Sequence, residues 1–231
     1  MVIGIRRYQQ PLAEADFADE DARLVGRYLT ALGYPESQVA TLVGEKATKS
    51  ALEKYIESWL PNRVESGDDV FVYFSGHGAP DPSRQDAYLV PYDGDPAYLD
   101  KTSYPVKKLY AELAKLPARS VTVVLDSCFS GAGGRSVLAK GARPLVTVSA
   151  ITDIPERVTV LTAGASDQIS YSYQEKGHGL FTYFLLRGLK DQAGRPDLDL
   201  KAAFDYAAPQ VTSIARREYN GDQVPQWREG K

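Results

Sequence analysis

The sequence is short of several things, and each shortage excludes something. It holds one cysteine in 231 residues, so no internal disulfide can form and a reducing compartment is expected, which leads us to a cytoplasmic assignment. It holds two histidines, so a candidate imidazole base is quickly found. No apolar run approaches the ~20 residues of a membrane span, and no membrane partner is expected. No excess of basic residues exists: the net charge is −3, which argues against a nucleic-acid surface and leaves room for a cationic partner. No secretory leader is visible, because Met1 runs straight into Val2-Ile3-Gly4-Ile5, which reads as a strand. Such an abrupt start suggests a domain of a longer, multidomain chain. No G-x-S-x-G occurs, against a serine α/β-hydrolase. Neither a repeat nor a linker is apparent, so one domain over 1–231 is expected.

What is there centres on Val121–Gly134, VTVVLDSCFSGAGG. An apolar run turns polar at Asp126 and Ser127, presents Cys128, and gives way to small residues. A buried strand reads this way when it delivers one reactive side chain at its carboxyl end. Val70–Gly78, VFVYFSGHG, has the same design and delivers His77, 51 residues earlier. Two parallel strands ending in a histidine and a cysteine suit a thiol nucleophile with an imidazole base. The alternative for Cys128 is a buried structural thiol, but Asp126, Ser127 and Ser130 are poor core neighbours. A redox switch lacks a resolving cysteine. For His77 the alternative is a satisfied core histidine, yet glycines flank it on both sides.

Hydrophobic spacing supplies the other elements. Helices are expected from Ala18 to Leu32, stopped by Gly33; over Leu52–Leu60, opened by a capping box Ser50–Glu53 and closed by Pro61; over Val106–Leu116; from Gly179 to Leu189; and from Leu200, with Pro209 kinking or ending it. Strands are expected at Val2–Ile5, Val39–Val43, Ala87–Val90, Leu145–Ile151 and Val158–Ala163. The polar stretch from Ala79 to Thr102 reads as a long connection over the sheet or beside the site. Ser130–Pro144 reads as a glycine-rich mobile loop. Its Gly131–Gly134 lacks the helix and third glycine of a dinucleotide fingerprint. Alternating strands and helices make this an α/β fold with a mostly parallel sheet covered on both faces.

SGHG and DSCFSG in this order and spacing resemble the caspase/metacaspase cysteine peptidases, whose histidine lies about 50 residues before the cysteine. Asp126 stands where animal caspases carry glutamine, which resembles metacaspases and bacterial caspase-like proteins. Further similarity runs from VIGI to QVPQW. The resemblance implies a caspase-like α/β/α sandwich of about six strands, a p20-like part over about 1–135 and a p10-like part over about 145–231. It implies a Cys128–His77 dyad without an acidic third member. It also implies an oxyanion hole from the amides of Gly78 and Cys128.

For specificity it points to Asp126 and Asp21. Asp126 lies on the side of the strand that carries Cys128; the plain alternative is an aspartate bonded to loop amides. Asp21, in Glu20-Asp21-Ala22, matches a metacaspase "NDA" segment, with Asp16 and Asp19 as alternatives. On composition alone it is a solvated helix charge. His178 reads as a helix-start or loop residue. Two carboxylates near a nucleophile imply protein or peptide substrates cut after arginine or lysine. Arg135, Lys140 and Arg143, in the loop after Cys128, are then candidates for self-cleavage. No cofactor is expected. Asp93, Asp95 and Asp100 raise calcium, which many metacaspases need, but the acid expected shortly after the cysteine is missing from GAGGRS. The rival reading is a catalytically idle caspase-like interaction module.

Overall fold

The computed structural model describes residues 1–81, 86–129, 154–190, 192 and 199–230. Its centre is a six-stranded sheet. The strands are β1 (Val2–Gly4), β2 (Thr41–Val43), β3 (Asp69–Ser75), β7 (Ser120–Asp126), β8 (Val158–Thr162) and β11 (Gln226–Glu229). Across the sheet they run β11-β8-β7-β3-β1-β2. All pairs are parallel except β11 with β8. A second, antiparallel sheet joins β4 (Gly78–Asp81), β5 (Asp86–Leu89) and β6 (Tyr104–Pro105). A short hairpin pairs β9 (Ser172–Tyr173) with β10 (His178–Gly179).

The central strands are buried on both faces, as parallel strands between helix layers must be. Val70, Val72 and Phe74 of β3 join Val121, Val123 and Leu125 of β7 in one core. That core is closed by Leu52, Ile56, Leu60, Val106, Leu109 and Leu113, carried by α2 (Lys49–Lys54), its π-helical continuation Tyr55–Trp59, and α4 (Val106–Ala114). Phe71, Tyr73 and Val124 point the other way, toward α1 (Ala18–Ala31), α5 (Leu180–Lys190) and α6 (Leu200–Tyr219). The period-two alternation of each strand thus divides its side chains between two cores.

Several expected elements are present with changed details. Gly33, at φ 105°, follows the last turn of α1 as anticipated. The cap of α2 is Thr48 rather than Ser50: its hydroxyl accepts the Ala51 amide at 3.2 Å, and Ser50 already lies inside the helix. Proline does not end the last helix. Pro209 sits inside α6, a helix of 20 residues. The ring is on the exposed side, where water can satisfy the carbonyl that loses its amide. Ala203, Phe204, Ala207, Val211 and Ile214 hold the other side against the core. The stretch from Ala79 to Thr102 is more ordered than a connection. It supplies β4, β5 and the short helix α3 (Leu99–Thr102), and packs Ala79, Tyr88, Val90 and Leu99 as a small core of their own. Leu145–Ile151 lies outside the described residues.

Candidate active site

Register places the two motifs together. Ser75 at the end of β3 pairs with Asp126 at the end of β7. His77 and Cys128 each lie two residues further on, at the carboxyl edge where parallel sheets bind ligands. Both side chains are buried, at 1% exposure. The Ser127 hydroxyl donates to the Gly76 carbonyl at 2.8 Å and joins the two turns.

His77 is held on three sides. Its backbone amide donates to the Tyr8 hydroxyl at 2.6 Å. The Tyr8 ring stacks on the imidazole with centroids 4.7 Å apart. Its Nε2 lies 2.6 Å from the Ala13 carbonyl oxygen. A carbonyl can only accept, so Nε2 carries the proton and Nδ1 is the nitrogen left for acid–base work. The orienting group is a main-chain oxygen and not a carboxylate. Neither Tyr8 nor Ala13 carries a signal that the sequence alone could offer.

Gly78 approaches the cysteine turn closely. A Cβ there would come within 2.6 Å of the Cys128 carbonyl oxygen and of the Phe129 ring, so only glycine fits without displacement. In the antiparallel ladder the Val90 amide donates to the His77 carbonyl. The next pair, Gly78 with Leu89, is therefore a non-hydrogen-bonded pair, and the Gly78 amide turns away from β5.

Behind Cys128 lies a buried polar chain. The Ser170 amide donates to the Cys128 sulfur at 2.7 Å. The Ser170 hydroxyl donates to Asp126 Oδ1 at 2.6 Å. Thr182 Oγ1 donates to Asp126 Oδ2 at 2.6 Å, and itself lies 2.6 Å from the Tyr73 hydroxyl. Asp126 is fully buried, and the hydroxyls of Ser170 and Thr182 are among its partners. Ser170 thus contacts both the sulfur and the carboxylate next to it. Ser170 and Thr182 are partners that sequence reasoning missed, since they lie 44 and 56 residues from Asp126.

Asp21 is fully buried too, not the solvated helix charge that its helix composition suggests. Its Oδ1 lies 2.6 Å from His178 Nδ1, and its Oδ2 accepts the Gly179 amide at 2.8 Å. The Tyr73 phenol senses both carboxylates: burial first, then the charges of Asp21 and Asp126, push its pKa well above the ordinary value. The neighbouring acids face elsewhere. Asp19 accepts the Arg6 amide, and Asp16 accepts from Gln174. His178 lies in β10, two residues before α5 begins.

Asp93 and Asp95 are used locally, accepting the amides of Lys49 and Ala97 at 2.8 Å each. Asp100 lies 3.5 Å from Lys101. Among the described residues no cluster of His, Cys, Asp and Glu is arranged to hold a metal ion. Arg135, Lys140 and Arg143 lie outside the described residues, as does Gly131–Gly134. Among the described residues no helix is long and apolar enough to cross a membrane.

A model of the caspase domain, the C14 peptidase family, matches residues 1–230. The chain belongs to the caspase-domain family. Two solved structures show the same fold. A protein of Geobacter sulfurreducens is 18% identical with a TM-score of 0.70, the match covering 100% of this chain and 92% of that one. Caspase-1 from Spodoptera frugiperda is 15% identical with a TM-score of 0.62, covering 98% and 84%. No curated protein sequence matches the chain. The six strands and two helix layers of this caspase domain are thus those of its relatives, and His77 and Cys128 stand at the carboxyl edge of its sheet.

Proposed function

We propose that this caspase-domain protein is a cysteine endopeptidase that cuts peptide bonds after arginine, and less readily after lysine. The observation that supports this reading is that the paired ends of β3 and β7 carry His77 and Cys128 to one edge of the sheet, with the His77 Nε2 proton committed to the Ala13 carbonyl.

In this mechanism His77 Nδ1 accepts the Cys128 thiol proton, and the thiolate attacks the scissile carbonyl. The amides of Gly78 and Cys128 receive the developing oxyanion. Such a donor is typically worth ~3 kcal/mol because it acts on charge that appears only in the tetrahedral intermediate. His77 then protonates the leaving amine, and a thioester to Cys128 remains. Water, deprotonated by the same Nδ1, attacks the thioester. The acid product leaves and the thiol is restored. The Ser170 amide at the sulfur favours thiolate over thiol.

The preference for a basic residue before the scissile bond rests on two buried carboxylates, Asp126 two residues before the nucleophile and Asp21, which shares with it the neighbour Tyr73. A bound guanidinium relieves their mutual repulsion, and its planar fork can pair with a carboxylate bidentately. An aspartate in that position would add a third negative charge. Self-processing in the loop that bears Arg135, Lys140 and Arg143 is part of the same proposal.

The test combines a positional-scanning peptide library with an arginyl chloromethylketone label, on wild-type protein and on Cys128→Ala. Labelling at Cys128 and cleavage after Arg, then Lys, are expected. Cys128→Ala and His77→Ala should each abolish turnover, and the double variant should be no worse, because the two act as a unit. A folded wild-type protein that neither labels nor cleaves would instead be an interaction module. Turnover by folded Cys128→Ala would exclude the thiol mechanism.

A further inference from the structure

Ser170 touches the nucleophile and a carboxylate at once. Its backbone amide donates to the Cys128 sulfur at 2.7 Å, and its hydroxyl donates to Asp126 Oδ1 at 2.6 Å. Asp126 and Cys128 are two residues apart at the end of β7, so the two bonds clamp one distant residue to that end at two points. Ser170 is itself buried.

The parts of the clamp are held from outside it. Thr182 of α5 donates to Asp126 Oδ2 at 2.6 Å, which fixes the carboxylate from its other oxygen. The residue after Ser170 is tied down as well: the Tyr171 amide donates to Gln223 Oε1 at 2.9 Å, and the Tyr171 ring stacks on Tyr219 of α6 with centroids 4.7 Å apart. The titratable groups about the thiol are His77 beyond the end of β3, Asp126 on its own strand, and Tyr73 of β3, which lies in the field of both Asp126 and Asp21 of α1.

We infer that Ser170 is a positioning residue for the nucleophile: Asp126 grips its hydroxyl and so aims its backbone amide at the Cys128 sulfur. The inference rests on the thiol mechanism proposed above and gives Asp126 a task apart from any substrate subsite. Every residue except proline offers an amide, but a short hydroxyl that can grip a carboxylate belongs to serine and threonine. A donor at the sulfur favours the thiolate, whereas a negative charge two residues away opposes it. Asp126 therefore acts on Cys128 in two opposed ways. Its charge disfavours the thiolate, and its grip on Ser170 aims the donor that favours it.

The experiment reads the thiol directly. The chain has one cysteine, so protein labelled with carbon-13 at the cysteine Cβ gives one NMR signal that follows thiol to thiolate, and no reagent has to reach the buried sulfur. Wild-type protein is compared with Ser170→Ala, Asp126→Asn and Asp126→Ala. All four keep His77, whose contribution to the apparent midpoint is common to them. Ser170→Ala retains the amide but loses the grip, and its thiol should titrate about one pH unit higher, a tenfold weakening of the thiolate. Asp126→Asn removes the charge and keeps an oxygen where Oδ1 stood, so its midpoint should fall below that of wild type. Asp126→Ala removes both charge and acceptor, and should titrate about one unit above Asp126→Asn.

The two Asp126 variants decide the matter even where Ser170→Ala does not fold, because both lack the charge and one alone lacks the acceptor. A midpoint unchanged in Ser170→Ala, or equal midpoints in Asp126→Ala and Asp126→Asn, would overturn the inference. Peptide hydrolysis by wild-type protein is measured alongside. Midpoints that separate as expected in a protein that cleaves no peptide would overturn the peptidase reading and leave the Ser170 clamp in place.

Discussion

The Ser127 hydroxyl donates to the Gly76 carbonyl at 2.8 Å, so the turn that carries the cysteine is fastened to the turn that carries the histidine one residue away on each side. The relative position of thiol and imidazole is therefore tied to the turns that carry them. That places unusual demands on the small residues around them.

Gly78 is the sharpest case. An alanine there drives a methyl to 2.6 Å from both the Cys128 carbonyl and the Phe129 ring. Backbone must move, and overpacking of this kind costs about 1–3 kcal/mol. Gly78→Ala should lower stability by that amount in urea melts. Peptide hydrolysis should fall at least ~100-fold, as when an oxyanion donor is displaced. Activity within twofold of wild type would mean that the Gly78 amide is not used.

Tyr8→Phe is a milder probe. It keeps the ring stacked on His77 and removes the oxygen that accepts the His77 amide. An unsatisfied, partly buried amide costs about 1–2 kcal/mol. We expect a several-fold fall in kcat with little change in KM, since Tyr8 positions the imidazole. A change confined to KM would place Tyr8 in substrate binding instead.

Asp126→Ala should reduce cleavage after arginine or lysine by at least ~100-fold, because a desolvated charge pair commonly carries several kcal/mol. The variant also leaves the hydroxyls of Ser170 and Thr182 without their acceptor, so a lower melting temperature should accompany it. Peptides with an uncharged residue before the scissile bond should lose far less. Equal losses on both substrate classes would reduce Asp126 to a structural role.

Wild-type protein should nick itself after Arg135, Lys140 or Arg143 and leave two associated fragments. These residues follow Cys128 closely in the chain, which raises their effective concentration at the site. Intact mass spectrometry after incubation reads the outcome. An active wild-type protein that stays whole at all three positions, or a Cys128→Ala protein cut at the same rate, would dismiss it.

The central strands were legible because each is an apolar run delivering a polar residue at its end, and parallel burial demands that pattern. The adjacency of His77 and Cys128 followed from two such runs of equal design. Other features had no local signature. β4, β6 and β11 span two to four residues each, too few for a period to emerge. Ala13 acts through a carbonyl that every residue owns, so its bond to His77 is invisible in side-chain chemistry. Asp21 looked like a surface charge because the groups that bury it lie 157 and 158 residues away. Pro209 was expected to kink or end the last helix, with Val211 and Ile214 continuing it; the helix runs on through Pro209 because the apolar stripe opposite it outweighs one missing hydrogen bond.

The long reach from Asp21 to His178 also bears on how the molecule comes into being. Strands β1, β3, β7 and β8 all pair with neighbours distant in the chain, a topology that folds slowly. The histidine and the cysteine leave the ribosome well before the segment that carries Ser170, His178 and Thr182. Until that segment arrives, Asp21 and Asp126 lack the hydrogen-bond partners that it supplies. A nascent chain therefore holds the nucleophile and its base without a finished subsite, and competence should appear only when the carboxyl-terminal helices dock. Synthesis itself would then act as the first safeguard against premature proteolysis.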